Sequence, residues 1–250
     1  MKKTLTALCL SLAFGGLSAQ VINIEDLRIK NDTVGWAGSG ELSGYVYKSN
    51  DLVFTLLTDI HIQHKSPKTL WLFLTDVATV RVNGDSQFAN SGFQHVRFNY
   101  KVTDKFVWEA FVQGLYNEPL SIDYRFLSGT GPRYKLMGTD KFRLYIAALY
   151  MFENEKNPGI EEIQYNHRMS SYVSFTIRPN DNVSIVSTTY YQPRLDDFSD
   201  RRLATNIDFK SYLTKKFYLT FNYSYSDDTA PAPGITSSTY ELTTGIGFEL

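Results

Sequence analysis

The final eleven residues alternate strictly between two kinds of side chain. Tyr240, Leu242, Thr244, Ile246, Phe248 and Leu250 fall on one face, and Glu241, Thr243, Gly245, Gly247 and Glu249 on the other. A period of two sends successive side chains to opposite faces of a strand. One face of this strand suits lipid and the other suits water. A segment of this kind can close a barrel wall in a membrane, and the same alternation also occurs in soluble sheets with one face on a core.

Eleven further segments alternate in the same way: Trp36–Tyr47, Leu52–Lys65, Thr69–Val82, Phe93–Val102, Phe106–Tyr116, Ile122–Leu136, Lys141–Glu153, Tyr165–Arg178, Val183–Tyr191, Leu203–Leu213 and Phe217–Tyr225. Most are longer than the roughly five or six residues usual in soluble sheets. They match the roughly 9–11 residues that a tilted strand needs to cross a bilayer. Short connections such as Ser66–Pro67, Thr103–Lys105, Gly138–Asp140, Pro179–Asn182 and Thr214–Lys215 take turns with longer ones. The longer set is Asn83–Gly92, Asn117–Ser121, Glu153–Ile163, Gln192–Arg201 and Ser226–Ser237, with Lys48–Asp51 the exception. Bacterial barrels pair short periplasmic turns with long outer loops. The expected fold is therefore all-β: a single antiparallel transmembrane β-barrel of twelve strands, with ten as the alternative count. A soluble β-sandwich is the competing architecture.

The N-terminus supports export. Met1-Lys2-Lys3 precedes an apolar run from Leu5 to Phe14 and a small-residue stretch ending at Ala19. This pattern predicts a signal peptide over residues 1–19, cleaved after Ala19, with the barrel domain at 20–250. The run is too short to span a bilayer as a helix. The single cysteine, Cys9, lies in the leader, so cysteine-based catalysis and cysteine metal sites are excluded. Without Lys2 and Lys3 the chain carries 23 basic against 26 acidic side chains, which is no nucleic-acid footprint. Aromatic residues make up 15%, enough for girdles at both membrane interfaces.

The segment from Asp123 to Leu136, DYRFLSGTGPRYKL, resembles the "R…G.G..Y.L" signature of domain-of-unknown-function family 481, often labelled salt-induced outer-membrane proteins. Phe142 to Tyr150, Glu153, the Arg168-Met-Ser-Ser-Tyr172 stretch and Gly35 to Gly40 also fit. The resemblance covers roughly residues 30–250. It implies a barrel in the outer membrane of a Gram-negative bacterium and no particular biochemical activity. Pro132 departs from the pattern, and a bulge or local break is expected after Gly131.

The faces assigned inward collect Asp59, Glu109, Asp123, Arg125, Arg133, Lys135, Arg143, Arg168, Asp208 and Lys210, with His61, Arg97, Lys101, Arg178 and Glu241. Two readings follow. The lumen is a narrow channel for small ions or solutes, leaning to anions through Arg125, Arg133, Lys135 and Arg143. Alternatively, the charges pair and fill a structural or stress-response barrel that transports nothing. A lipid-modifying enzyme is the third reading, resting on Ser91 near His95. His61 and His64 fall on opposite faces, so no metal site is expected. Clusters at Glu153, Glu155, Glu161 and Glu162, and at Asp196, Asp197 and Asp200, read as solvated loop carboxylates. No cofactor is implied. The expected partners are outer-membrane lipid, small ions or solutes, and the outer-membrane insertion machinery through the C-terminal strand.

Overall fold

Residues 34–48, 52–83, 88–214 and 216–248 are described by the computed structural model. The leader and cleavage point expected from the sequence lie outside the described residues.

Alternation produces strands throughout. They are β1 (Gly35–Lys48), β2 (Leu52–Lys65), β3 (Thr69–Asn83), β4 (Phe88–Lys101), β5 (Phe106–Asn117), β6 (Ile122–Gly138), β7 (Phe142–Lys156), β8 (Gln164–Asn180), β9 (Val183–Pro193), β10 (Arg201–Tyr212), β11 (Phe217–Asp228) and β12 (Ser238–Phe248). A single 3-10 turn, Glu118–Leu120, interrupts the β5–β6 connection. Every strand pairs antiparallel with its neighbours in sequence, giving one sheet in the order β1 to β12. The expected twelve strands and all-β class are what the chain forms. Among the described residues no ladder joins β1 to β12. β4 begins at Phe88 rather than Phe93, so the second outer connection is shorter than expected. The long connections are confined to 157–163, 194–200 and 229–237.

The sheet curls until its inner face packs on itself. Tyr172 of β8 donates to Glu109 of β5, and Arg202 of β10 reaches Glu153 of β7, although neither pair of strands is adjacent. The distribution of polarity is the reverse of a soluble protein. Phe54, Phe73, Phe126, Ile146, Val173, Phe221 and Leu242 are exposed on the outside. His61, Gln63, Arg97, Glu109, Arg125, Glu153, Arg168 and Arg202 are buried inside. Large exposed apolar faces signal a nonaqueous partner. A continuous apolar outer band around a polar interior fits a transmembrane barrel and excludes a soluble sandwich.

Aromatic rings band the end that carries the short turns, called here the turn end. Trp36 packs on His64 with centroids 4.7 Å apart, and Trp71 on Phe98 at 4.5 Å. The ladder places His64 opposite both Trp36 and Trp71, so these residues make one lateral row across four strands. Amphipathic rings sit favourably where hydrocarbon meets headgroups.

Pro132 produces the expected local break. It faces Trp108 on β5, but the β6–β7 ladder runs from Thr130↔Tyr150 to Arg133↔Ala147 with no pairs at Gly131 and Pro132. Register is the same on both sides of the gap and shifts only between Lys135 and Met137. Gly131 is needed because β7 lies so close. A Cβ there would meet the Leu149 Cα at 2.7 Å and press on the Ala148 carbonyl oxygen. Gly131→Ala is expected to destabilise by about 1–3 kcal/mol through overpacking. Gly114→Ala, where a Cβ meets nothing within 4 Å, is expected to be near neutral. Urea unfolding of the two variants in lipid vesicles compares them directly.

Candidate functional site: a charged and partly filled lumen

Inward residues occupy odd positions on β2, β4, β5 and β7 and even positions on β3, β8, β9, β10 and β11, as their burial and register show. This brings ionic side chains from non-adjacent strands into contact. Two networks result, separated by an apolar layer.

The first network lies toward the long loops and centres on Glu153, which is 0% exposed. Its Oε1 accepts from Arg168 Nε at 3.2 Å and from Asn166 Nδ2 at 2.9 Å. Its Oε2 accepts a short bond from Arg202 Nη1, with Arg125 Nε at 3.9 Å. Glu155 accepts from Arg125 Nε at 2.5 Å and from Arg202 Nη2 at 3.2 Å. Arg202 Nε also donates to Asp228 at 2.9 Å, and Arg168 Nη2 to Asp200 at 2.9 Å. Three guanidiniums thus meet four carboxylates from β6, β7, β8, β10, β11 and the 194–200 loop.

The second network sits deeper and centres on Glu109, also 0% exposed. Arg97 and Arg133 approach its two oxygens at 3.4 and 3.5 Å, and the Tyr172 hydroxyl donates at 2.8 Å. The Arg133 guanidinium also stacks over the Tyr145 ring at 4.0 Å. Between the networks lie Phe111, Leu127, Ala147, Leu149, Met151, Tyr172, Tyr190 and Ala204. Buried charge is costly unless paired and hydrogen-bonded, and these groups are.

Of the residues expected inside, Glu109, Arg125, Arg133 and Arg168 are buried in the two networks. Lys135 and Arg143 are half-buried near the turn end, and Lys135 belongs to a cavity there. Asp208 and Lys210 are half-buried farther round the wall; Asp208 accepts from Asn222, and Lys210 lies over the Tyr218 ring at 3.9 Å. Asp59 is inward but exposed, in a row with Glu41 and Asp76 across β1, β2 and β3. Asp123 is the exception. It is exposed at the loop end of β6, where a register shift between Leu115 and Asn117 disturbs the alternation that would have buried it.

Sequence reasoning missed Arg202, Asp228 and the strand setting of Glu155. The signal was parity. Arg202 continues the face of Asn206, Asp208 and Lys210, and Glu155 continues that of Glu153. Each lies just beyond the strand limits read from apolar residues.

The loop carboxylates at 196–200 are engaged. Arg194 Nη2 donates to Asp196 at 2.6 Å and its Nη1 to Asp200 at 3.2 Å. The Arg194 hydrogen bond holds the Asp196 carboxyl below its ordinary range. Hydrogen bonds from Ser199 do the same for Asp197. Among the described residues no group of three or more histidine, cysteine or acidic side chains could hold a metal ion. Ser91 is a buried residue of β4 rather than a loop serine. It stands four residues from His95 on one extended strand, about 13 Å away at the usual rise. His95 Nδ1 pairs with Gln113 at 2.9 Å.

Comparison with known proteins settles the lineage at this point. The signature of the family described as "Protein of unknown function, DUF481" matches residues 41–250. The chain belongs to the DUF481 family. The family resemblance read from strands β6 to β8 is therefore correct. A comparison with curated proteins gives no match. Among solved structures, DUF481 residues here resemble the NanC porin at 13% identity, over 84% of this chain and 99% of that one, with a TM-score of 0.49. The siderophore receptor PirA of Pseudomonas aeruginosa is similar at 12% identity, over 87% of this chain and 47% of that one, with a TM-score of 0.43. The translocator domain of the autotransporter NalP of Neisseria meningitidis is similar at 12% identity, over 91% and 92%, with a TM-score of 0.38.

Proposed function

We propose that this DUF481 protein is an outer-membrane barrel whose lumen is closed at rest by its own ion pairs. The observation that carries the reading is the complete burial of Glu109 and Glu153, each held by arginines from other strands. Arg125, Arg133 and Arg168 spend their charge on these carboxylates, so they do not form an anion filter. An open sheet edge is untenable in hydrocarbon, so β1 and β12 meet in the bilayer and complete the wall. Outer-membrane lipid is then the partner of the apolar band, and the insertion machinery engages the C-terminal strand.

A small-ion path is the second reading, and one observation favours it. The inward row Glu41, Asp59 and Asp76 includes side chains that remain exposed, away from both networks. Such a path would pass cations rather than anions.

Planar-bilayer recording of the refolded mature chain under a salt gradient tests both, with insertion checked by protease protection. Silence from inserted wild type, with discrete steps from Arg202→Ala, supports the closed lumen. Steady cation-selective steps from wild type support the acidic path. Steady anion-selective steps overturn both readings.

A further inference from the structure

The charges in the two networks balance, whereas among the described residues one cavity at the turn end is lined by more cations than carboxylates. There the lumen opens into a cavity of about 300 Å³ lined by Lys65, Lys68, Lys101, Lys105, Arg133 and Lys135. One carboxylate, Asp104, shares the lining. It sits at the rim with its side chain 90% exposed, bound to Lys101 Nζ at 2.7 Å. That contact keeps the Asp104 carboxyl below its ordinary range, so it stays ionised and its one charge is used on Lys101.

The cavity is built from several directions. Lys65 ends β2, Lys101 ends β4, and Arg133 and Lys135 come from β6, all on the inward face. Lys68 and Lys105 come from the turns between strands. The floor is polar and fixed: Asn99 is buried, and Arg133 is clamped between Glu109 and the Tyr145 ring. A concave site with one sign of charge and low-dielectric walls concentrates counter-ions. Its volume is at the lower end for small-ligand sites, about 300 Å³. Ammonium groups converging on a small volume suit a compact, multiply charged oxyanion, while Arg133, its charge used on Glu109, shapes the floor.

We infer that the turn-end mouth of the lumen is a binding site for a compact phosphorylated anion. The strand residues of the lining, Lys65, Lys101, Arg133 and Lys135, face the lumen rather than the lipid, which favours a soluble ligand over a lipid headgroup. The site is independent of whether the lumen conducts.

The test is calorimetric titration of the refolded full mature chain, in zwitterionic micelles at low salt, with inorganic pyrophosphate. Wild type should bind one equivalent saturably, and Lys101→Gln with Lys135→Gln should bind roughly tenfold more weakly. Lys141→Gln removes a charge from the same end but outside the cavity, and should bind as wild type does. Circular dichroism establishes that each variant is folded. Binding that survives added phosphatidylglycerol assigns the site to a soluble anion. Competition by that lipid assigns it to a headgroup phosphate. No saturable binding by wild type, or an equal loss in Lys141→Gln, overturns the proposal.

Discussion

Glu153→Gln is expected to lower the unfolding free energy by about 3–5 kcal/mol, the usual cost of breaking a buried ion pair by removing one partner. The substitution keeps the side chain's shape but removes the charge that Arg168 and Arg202 share. Three guanidiniums would then share Glu155, Asp228 and Asp200, and Arg168 and Arg202 would lose the buried carboxylate that links them. Urea unfolding in lipid vesicles measures the loss. Combining Glu153→Gln with Arg168→Gln should cost less than the sum of the two single changes, because the second removes a charge the first had stranded. Strict additivity would mean that Glu153 and Arg168 do not interact, and the closed-lumen reading would lose its centre.

A charge on the outside should be nearly as damaging, for a different reason. Ile146 is 40% exposed, on the outward face of β7. Ile146→Arg is expected to cost about 2–4 kcal/mol, the penalty for a cation facing the bilayer interior. Phe221→Arg on β11 should behave similarly. Thr220→Arg, the next residue on the opposite face, should cost clearly less. Thr220 borders a cavity of about 280 Å³ that also includes Asp208 and Asn222, so a guanidinium there has both room and a carboxylate. Equal penalties at positions 220 and 221 would mean that the inside and outside faces are assigned wrongly.

Much of the wall was legible because strand alternation is local. Asp59 and His61 opposite Phe54 and Ile60 fixed the register of β2 without any tertiary information, and Asp76 alone was enough to orient β3. The filling was harder to read. Leu149 and Met151 share the inward parity of Arg143 and Glu153, yet they are apolar and form the layer between the two ionic networks. A two-letter apolar/polar code cannot tell a lipid-facing leucine from one that fills a lumen. Nor could it tell which arginine meets which glutamate. The anion-leaning cluster Arg125, Arg133, Lys135 and Arg143 was read from adjacency on β6 and β7. The partners that neutralise two of its members come from β5 and from the end of β7.

The wall and its contents differ in how far apart their partners lie in the chain. Each ladder joins consecutive strands, so hairpins can zip one after another as the chain is delivered. Arg202 and Glu153 are 49 residues apart, and Tyr172 and Glu109 are 63 apart. A half-delivered barrel therefore holds ionised side chains whose counterparts have not arrived, at a depth where neither water nor lipid can serve them. Such an intermediate has no comfortable resting place in the membrane. Assembly must either keep the growing sheet open to water until β10 is in place or shield it, and the interior then seals in one concerted step.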